Sequence, residues 1–414
     1  MIKEIRIQNF KGIEDLWLDF SQLNVLIGAN SAGKSTIIQA IDLLMSSVHR
    51  DIPEYLDDRG WKVEDIKSQI SKNRKLAFDT LLSFDIAGDV KYILWSIEFV
   101  LTQKDNSVVL ASEQFSIVSN SKIIPSLRKL LDAQSTYPES ILIYGYNRGY
   151  LIFADGSNNE PSVKYRFKSL NISSSILKVF HPSTVNVHRE YVDAFQDFFH
   201  NSQSLETLST DRLRRSSRGQ TKGIGTRGER LAAFVKQMND EQKARFMRNL
   251  RQYMPSITSL DTVVKGKPGW IELILNEKYG ENNIRVKTSH ISDGFLRIIA
   301  FVSLMELESK PGLIVFDEIE DGINPHIASE IVKLISSYGE KCKRQLILTT
   351  HSSLMLDEFD PSNIVYVYRD SRGGIRAKHV YLTDNIKSML DYMNPGEIWI
   401  NSSEQELLGS DDED

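Results

Sequence analysis

Cys342 is the only cysteine in the chain. That excludes an internal disulfide and any zinc site built on cysteines. No uninterrupted apolar stretch reaches the roughly 20 residues that cross a bilayer, so no membrane role is expected. The opening Met1-Ile2-Lys3-Glu4-Ile5-Arg6-Ile7 alternates as a strand does and lacks the plan of a secretion leader. These features fit a cytoplasmic protein. A net charge of −5 gives no global attraction to nucleic acid, so any such contact must come from a local patch. Sustained heptads and internal repeats are absent, which excludes a long coiled coil. The guanine-reading pattern Asn-Lys-x-Asp is also missing, which argues against a GTPase.

What is present begins at residue 28. Gly28-Ala29-Asn30-Ser31-Ala32-Gly33-Lys34-Ser35-Thr36 contains G-x-x-x-x-G-K-S, the phosphate-binding P-loop. Backbone N–H groups of such a loop curl around phosphates, and its glycines permit that approach. Lys34 is expected on the β- and γ-phosphates and the Ser35 hydroxyl on Mg²⁺. The context agrees. Leu23-Asn24-Val25-Leu26-Ile27 reads as a short strand before the loop. Ile37, Ile38, Ile41, Leu44 and Met45 recur at helical spacing after it. The predicted ligands are therefore ATP and Mg²⁺.

Hydrolysis also needs a metal carboxylate and a group that orients water. Leu313-Ile314-Val315-Phe316 is a strand apolar on both faces, and Asp317-Glu318 follows at its end. Asp317 is the candidate Mg²⁺ ligand and Glu318 the candidate general base. Leu346-Ile347-Leu348-Thr349-Thr350-His351 is a second such strand, and His351 at its end can hydrogen-bond a γ-phosphate. Ser292-Asp293-Gly294 opens an apolar helix, and a Ser/Gly helix start can receive an anion.

The order of these motifs resembles the ABC-type ATPase heads, well over residues 1–50 and 285–355. That resemblance implies a P-loop α/β fold with a mixed sheet and flanking helices. It implies that Ser292 and Gly294 of one copy touch the γ-phosphate held by Lys34 of another. Asp321 to Asn324 then match the D-loop and His351 the switch histidine; no Q-loop glutamine is placed by the wording, Gln69 being a guess. More than 250 positions separate Gly28 from Ser292, which disfavours a transporter and is too few for a Rad50 or SMC coiled coil. The wording from Ile7-Gln8-Asn9-Phe10-Lys11-Gly12 through Asp317-Glu318-Ile319-Glu320-Asp321-Gly322-Ile323-Asn324-Pro325 is similar to the compact RecF and OLD group.

About sixty residues follow His351, without a second acidic metal cluster, so an intrinsic Toprim nuclease is not expected. Stand-alone heads of this kind resemble the ATPase subunits of anti-phage systems such as Septu and PARIS. The implied function is ATP-driven homo-oligomerisation that controls a separate nuclease or toxin; the alternative is a RecF-like DNA-binding protein.

Along the chain, residues 1–105 and 257–400 are expected to form the head. Residues 106–256 read as an inserted α/β-helical subdomain and 401–414 as an acidic solvated tail. The insertion carries Arg212, Arg214, Arg215, Arg218, Lys222, Arg227 and Arg230. This basic stretch could grip a phosphate backbone, bind an acidic partner, or be a solvated loop.

Overall fold

A computed structural model describes residues 1–102, 106–118, 126–132, 139–145, 150–154, 161–166, 172–179, 189–205, 208–221, 223–225, 227–267, 269–307 and 310–409. Its centre is a six-stranded sheet. The strands are β3 (Leu23–Ile27), β10 (Gln203–Leu205), β14 (Leu313–Phe316), β15 (Gln345–Thr349), β16 (Ile364–Arg369) and β17 (Ile375–Lys378), in the order β10-β14-β15-β3-β16-β17. All neighbours run parallel except β16 with β17. Leu313 and Val315 face one apolar core while Ile314 and Phe316 face the other. Both faces of β14 are thus covered, which is why it reads as an unbroken apolar run.

An antiparallel sheet lies over the first core. It comprises β1 (Ile2–Phe10), β2 (Ile13–Asp19), β4 (Lys75–Ile86), β5 (Asp89–Thr102), β6 (Ser107–Val118), β7 (Glu139–Gly145), β8 (Tyr150–Ala154) and β9 (Pro161–Arg166), in the order β2-β1-β4-β5-β6-β7-β8-β9. Between the two sheets sits the helix Lys34–Ser47, which buries Ile37, Ile38, Ile41 and Leu44. The second core is filled by the helices Asp293–Leu304 and Pro325–Cys342. A three-stranded antiparallel sheet of β11 (Ile257–Lys265), β12 (Trp270–Tyr279) and β13 (Asn282–Lys287) borders it. This mixed α/β arrangement is the expected P-loop architecture.

The expected division at 105/106 falls inside the β5–β6 hairpin, so one continuous sheet crosses it. Described parts of 106–256 pack into both cores rather than standing apart. Phe195, Phe198 and Phe199 of helix Arg189–His200 enter the first, and Phe234, Phe246 and Leu250 the second. The short β10 extends the central sheet; three residues, two of them polar, leave no periodic signal. The acidic tail also starts later than expected. Glu404–Leu408 is a helix with Leu407 buried, and Lys378 Nζ donates to Leu408 O at 2.7 Å. Residues 410–414 lie outside the described ones. Among the described residues no helix is long and apolar enough to cross a membrane.

Candidate nucleotide-binding site

Three adjacent parallel strands end at the same edge of the central sheet. β3 runs into the P-loop, β15 into Thr350 and His351, and β14 into Asp317 and Glu318. Sites on parallel sheets form at this edge because loops diverge there and helix N-termini face it.

Gly28 and Gly33 have φ of 151° and 117°. A Cβ at Gly28 would lie 2.1 Å from Val367 O, and one at Gly33 would lie 2.4 Å from Ile375 Cδ1. Both positions are closed to side chains by conformation and by space. Ala29, Asn30 and Ser31 line the exposed outer side of the loop, while Ala32 and Gly33 are buried. Lys34 is only 4 % exposed. Its Nζ donates to Gly28 O at 2.8 Å and Ala29 O at 3.1 Å, closing the ammonium over the loop. Burial pulls the Lys34 pKa down, and the nearby carboxylates of Asp317, Glu318 and Glu320 pull it up. Ser35 and Thr36 stand half-buried on the first helical turn.

The two acids are fixed by one hydroxyl. Thr349 Oγ1 donates to Asp317 Oδ1 at 2.6 Å and accepts from Glu318 N at 2.7 Å. Thr349 is fully buried. Glu318 has φ of 50°, a left-handed conformation uncommon for a side-chain-bearing residue and frequent where function demands it. His351 Nε2 lies 3.9 Å from Glu318 Oε1. The His351 N–H donates to Glu320 Oε1 at 2.5 Å, and Glu320 Oε2 is buried without a partner among the described residues. P-loop, acid pair and histidine thus gather at one place.

Ser292 and Gly294 sit elsewhere in the chain. Ser292 caps helix Asp293–Leu304 by accepting from Phe295 N at 3.4 Å. A Cβ at Gly294 would lie 2.8 Å from Gly322 O, and Arg297 pairs with Asp321. The helix start therefore packs on the D-loop segment; among the described residues neither Ser292 nor Gly294 hydrogen-bonds the P-loop. Ser292 is exposed.

Gln69 is exposed, with its N–H on Lys11 O at 3.1 Å. It lines a cavity of about 650 Å³ with Thr36, Lys11, Trp61 and Arg369. Lys11 Nζ stands 3.6 Å over the Trp61 ring, and Arg369 Nε donates to Ser31 O at 2.8 Å. Trp61 and Arg369 escaped the motif reading because no spacing rule ties them to a P-loop, and Lys11 entered it only as part of the opening run, with no role at the site. Thr349 and Glu320 were visible as neighbours of the motif, but only the fold shows what they hold.

The residues fit Mg²⁺. Thr349 occupies one Asp317 oxygen and leaves the other for a cation, and Ser35 supplies a hydroxyl. Among the described residues no cluster of three or more His, Cys, Asp or Glu forms an all-protein cage. One carboxylate plus a hydroxyl, completed by phosphate and water, is how Mg²⁺ is usually held.

Part of the basic stretch has a structural role. Arg214 donates to Thr288 O at 3.1 Å and Ile291 O at 2.5 Å, and pairs with Asp293. Ser217 bridges to Ile271, and Leu213 and Ile224 are buried. The stretch is thus not simply a solvated loop. Arg215, Arg218 and Arg230 are exposed; Lys222 lies outside the described residues.

Two family models match. An AAA ATPase domain covers residues 1–204. An AAA domain of the kind linked to the AbiEii toxin, Type IV TA system, covers 163–357. An OLD nuclease of Thermus scotoductus is 22 % identical over 94 % of this chain and 66 % of its own length. The DNA double-strand break repair Rad50 ATPase of Sulfolobus acidocaldarius is 26 % identical over 37 % of this chain and 16 % of its own. The DNA replication and repair protein RecF of an Exiguobacterium species is 28 % identical over 36 % of this chain and 40 % of its own. The chain thus spans less than two thirds of each of these relatives. A solved SMC head bound to the C-terminal winged-helix domain of ScpA superposes with a TM-score of 0.50 at 14 % identity, covering 91 % of this chain and 96 % of that one. The chain is thus similar to AAA ATPase domains and to OLD, Rad50 and RecF relatives, and its fold is like that of an SMC head.

Proposed function

We propose that the chain binds and hydrolyses ATP with Mg²⁺, and that nucleotide drives it to oligomerise. The observation that carries this is the meeting of Lys34, Asp317, Glu318 and His351 at one sheet edge, with Thr349 fixing both acids. Gly28 to Thr36 wrap and hold the phosphates. Ser35 and Asp317 would hold Mg²⁺, which when bound offsets phosphate charge. Glu318 accepts the proton of the attacking water. His351, leaning toward Glu318, reports on the γ-phosphate. Exposed Ser292 and half-buried Gly294 reach the nucleotide of a second copy.

Glu318→Gln tests this. The variant should retain ATP, lose at least about 100-fold in turnover, which is the usual contribution of a positioned base, and shift to larger species with ATP by light scattering. Wild-type turnover would overturn the assignment.

The oligomer is proposed to control a separate nuclease or toxin in anti-phage defence in the cytoplasm. Support comes from the OLD nuclease relative and the AbiEii-linked model. A second reading, a RecF-like DNA-binding protein, draws on the RecF relative and on exposed Arg215, Arg218 and Arg230. Arg215→Glu with Arg218→Glu separates the two. Loss of ATP-dependent, salt-sensitive DNA binding supports the second; unchanged defence by the variant supports the first.

A further inference from the structure

A second cavity of about 590 Å³ opens away from the P-loop. Its walls come from three places. Ser46 and His49 stand at the far end of the P-loop helix, Gln203 and Ser204 on β10, and Arg212 and Arg227 in the basic stretch. Other charges at its rim are already engaged: Arg59 with Asp42, and Arg50 with Asp58 at 2.5 Å. Glu229 accepts from Arg227 N at 3.0 Å. The guanidinium groups of Arg212 and Arg227 are different. Both are half-buried, and among the described residues neither has a hydrogen bond or ion pair. Ser204 is 3 % exposed, and its Oγ is buried with no partner.

Unpaired buried polar groups are rare because each carries a desolvation cost. Ser204 Oγ is such a group, and two half-buried guanidinium groups without a protein partner line the same cavity, a set that suits an anion bearing several acceptor oxygens. The loop is shaped to leave that space. Gly223 packs where a Cβ would meet Gln203 Nε2 at 2.4 Å, and Gly225 where one would meet Glu229 Oε1 at 2.5 Å. The volume suits a ligand of mononucleotide size.

We propose that this cavity is a second ligand site, taking a mononucleotide-sized phosphate ester with its phosphate on Arg212 and Arg227. Its position connects it to the first site. The P-loop helix ends in its wall. Leu205, next to Ser204, accepts from Asp317 N at 3.3 Å. Two residues beyond Arg212, Arg214 holds the start of the Ser292 helix. A ligand here bears on all three parts of the ATP site, so the proposal includes a coupling between the two sites, which linkage makes equal in both directions.

The test uses the full chain carrying Lys34→Ala, so that P-loop binding does not mask the second site. Binding of AMP, GMP, CMP, UMP, pyrophosphate and a 5′-phosphorylated oligonucleotide is followed by calorimetry. At least one mononucleotide should bind, and Arg212→Ala or Arg227→Ala should each weaken it by about tenfold or more, the loss of one charge-assisted contact. Neither arginine supports the fold through a partner, so both variants should melt as the parent does. In the wild-type chain the same mononucleotide should shift ATP affinity, and each arginine variant should abolish that shift while keeping ATP binding. The proposal is overturned if no mononucleotide binds at roughly millimolar concentration, if only the oligonucleotide binds, or if the arginine variants bind as the parent does. Failure of ATP binding in the wild-type chain would instead strike the first site and leave this one standing.

Discussion

Arg214 was one of seven basic residues that read as a candidate phosphate grip, yet its geometry says it cannot serve there. Its side chain is about one quarter exposed and spends its donors on Thr288 O, Ile291 O and Asp293. Those three acceptors lie on the turn leading into the helix that starts with Asp293. Arg214→Ala removes a guanidinium and leaves two carbonyls without that donor. Hydrogen bonds from a charged group contribute about 1.5–3 kcal/mol each when shielded. Three simple terms would exceed 4.5 kcal/mol, but the Asp293 partner is exposed and exposed pairs contribute less than about 1 kcal/mol. The backbone carbonyls can also recruit water. A loss of about 2–3 kcal/mol is therefore expected. Denaturant unfolding would register it as a lower midpoint at unchanged slope. ATP turnover should fall too, because Ser292 is one residue beyond the carbonyl of Ile291. Arg215→Ala is the control: Arg215 is exposed, and its loss should stay within about 0.5 kcal/mol. If Arg214→Ala unfolds and turns over like the wild type while only nucleic-acid binding suffers, the clamp is wrong and the phosphate grip is right.

Thr349→Val keeps the shape but leaves Glu318 N–H and Asp317 Oδ1 without their shared hydroxyl; about 1–3 kcal/mol of stability should be lost, and turnover should fall more than ATP affinity, read by steady-state kinetics beside calorimetry. Gly33→Ala must adopt φ near 117° against Ile375, so it should lose ATP binding and melt lower; binding like the wild type would refute the steric reading. The His379–Asp19 pair, 3.2 Å apart, predicts a pH window. Asp19 holds the His379 pKa above 6.5, so that contribution is complete below 6.5 and is lost as pH rises through the raised value. His379 holds Asp19 below 3.8, so that contribution is present above 3.8 and is lost as pH falls through the lowered value. Stability from the pair is thus greatest between 3.8 and 6.5, and unfolding midpoints of His379→Gln should vary less with pH on the alkaline side than those of the wild type.

How much of this was legible beforehand follows from the range of each interaction. β3, β14, β15 and the P-loop helix were read closely, because apolar runs and motif spacing are local signals. Their adjacency at one edge was not in the spacing; it came from the resemblance, and the parallel register confirms it. β10 was invisible, since three residues derive their strand conformation wholly from pairing with β14. The role of Arg214 was hidden for the same reason. Its partners lie 74 to 79 positions away, and composition alone groups it with exposed arginines. The expected division into head and insertion follows changes in character along the chain, whereas the sheet follows pairing and runs across its first boundary.

The two halves of the proposed composite site are tied together within a single chain. β14 carries the acids, and the segment just after it carries Asp321 and Gly322. That segment touches the Ser292 helix twice, through Gly322 O against Gly294 and through Asp321 against Arg297. Gly294 cannot be enlarged without pushing on the Gly322 carbonyl, and Arg297 is buried, so its charge has few other places to go. The helix start that would face another copy is therefore positioned by the same loop that follows Glu318. Arg214 holds its other side. Glu318 sits in a left-handed conformation, and only four residues of backbone separate it from Gly322, which contacts Gly294. In the proposed composite site this arrangement would make Ser292 an output of the acid pair as well as a contact for the next nucleotide, which is how the proposed assembly would follow the state of the bound ATP.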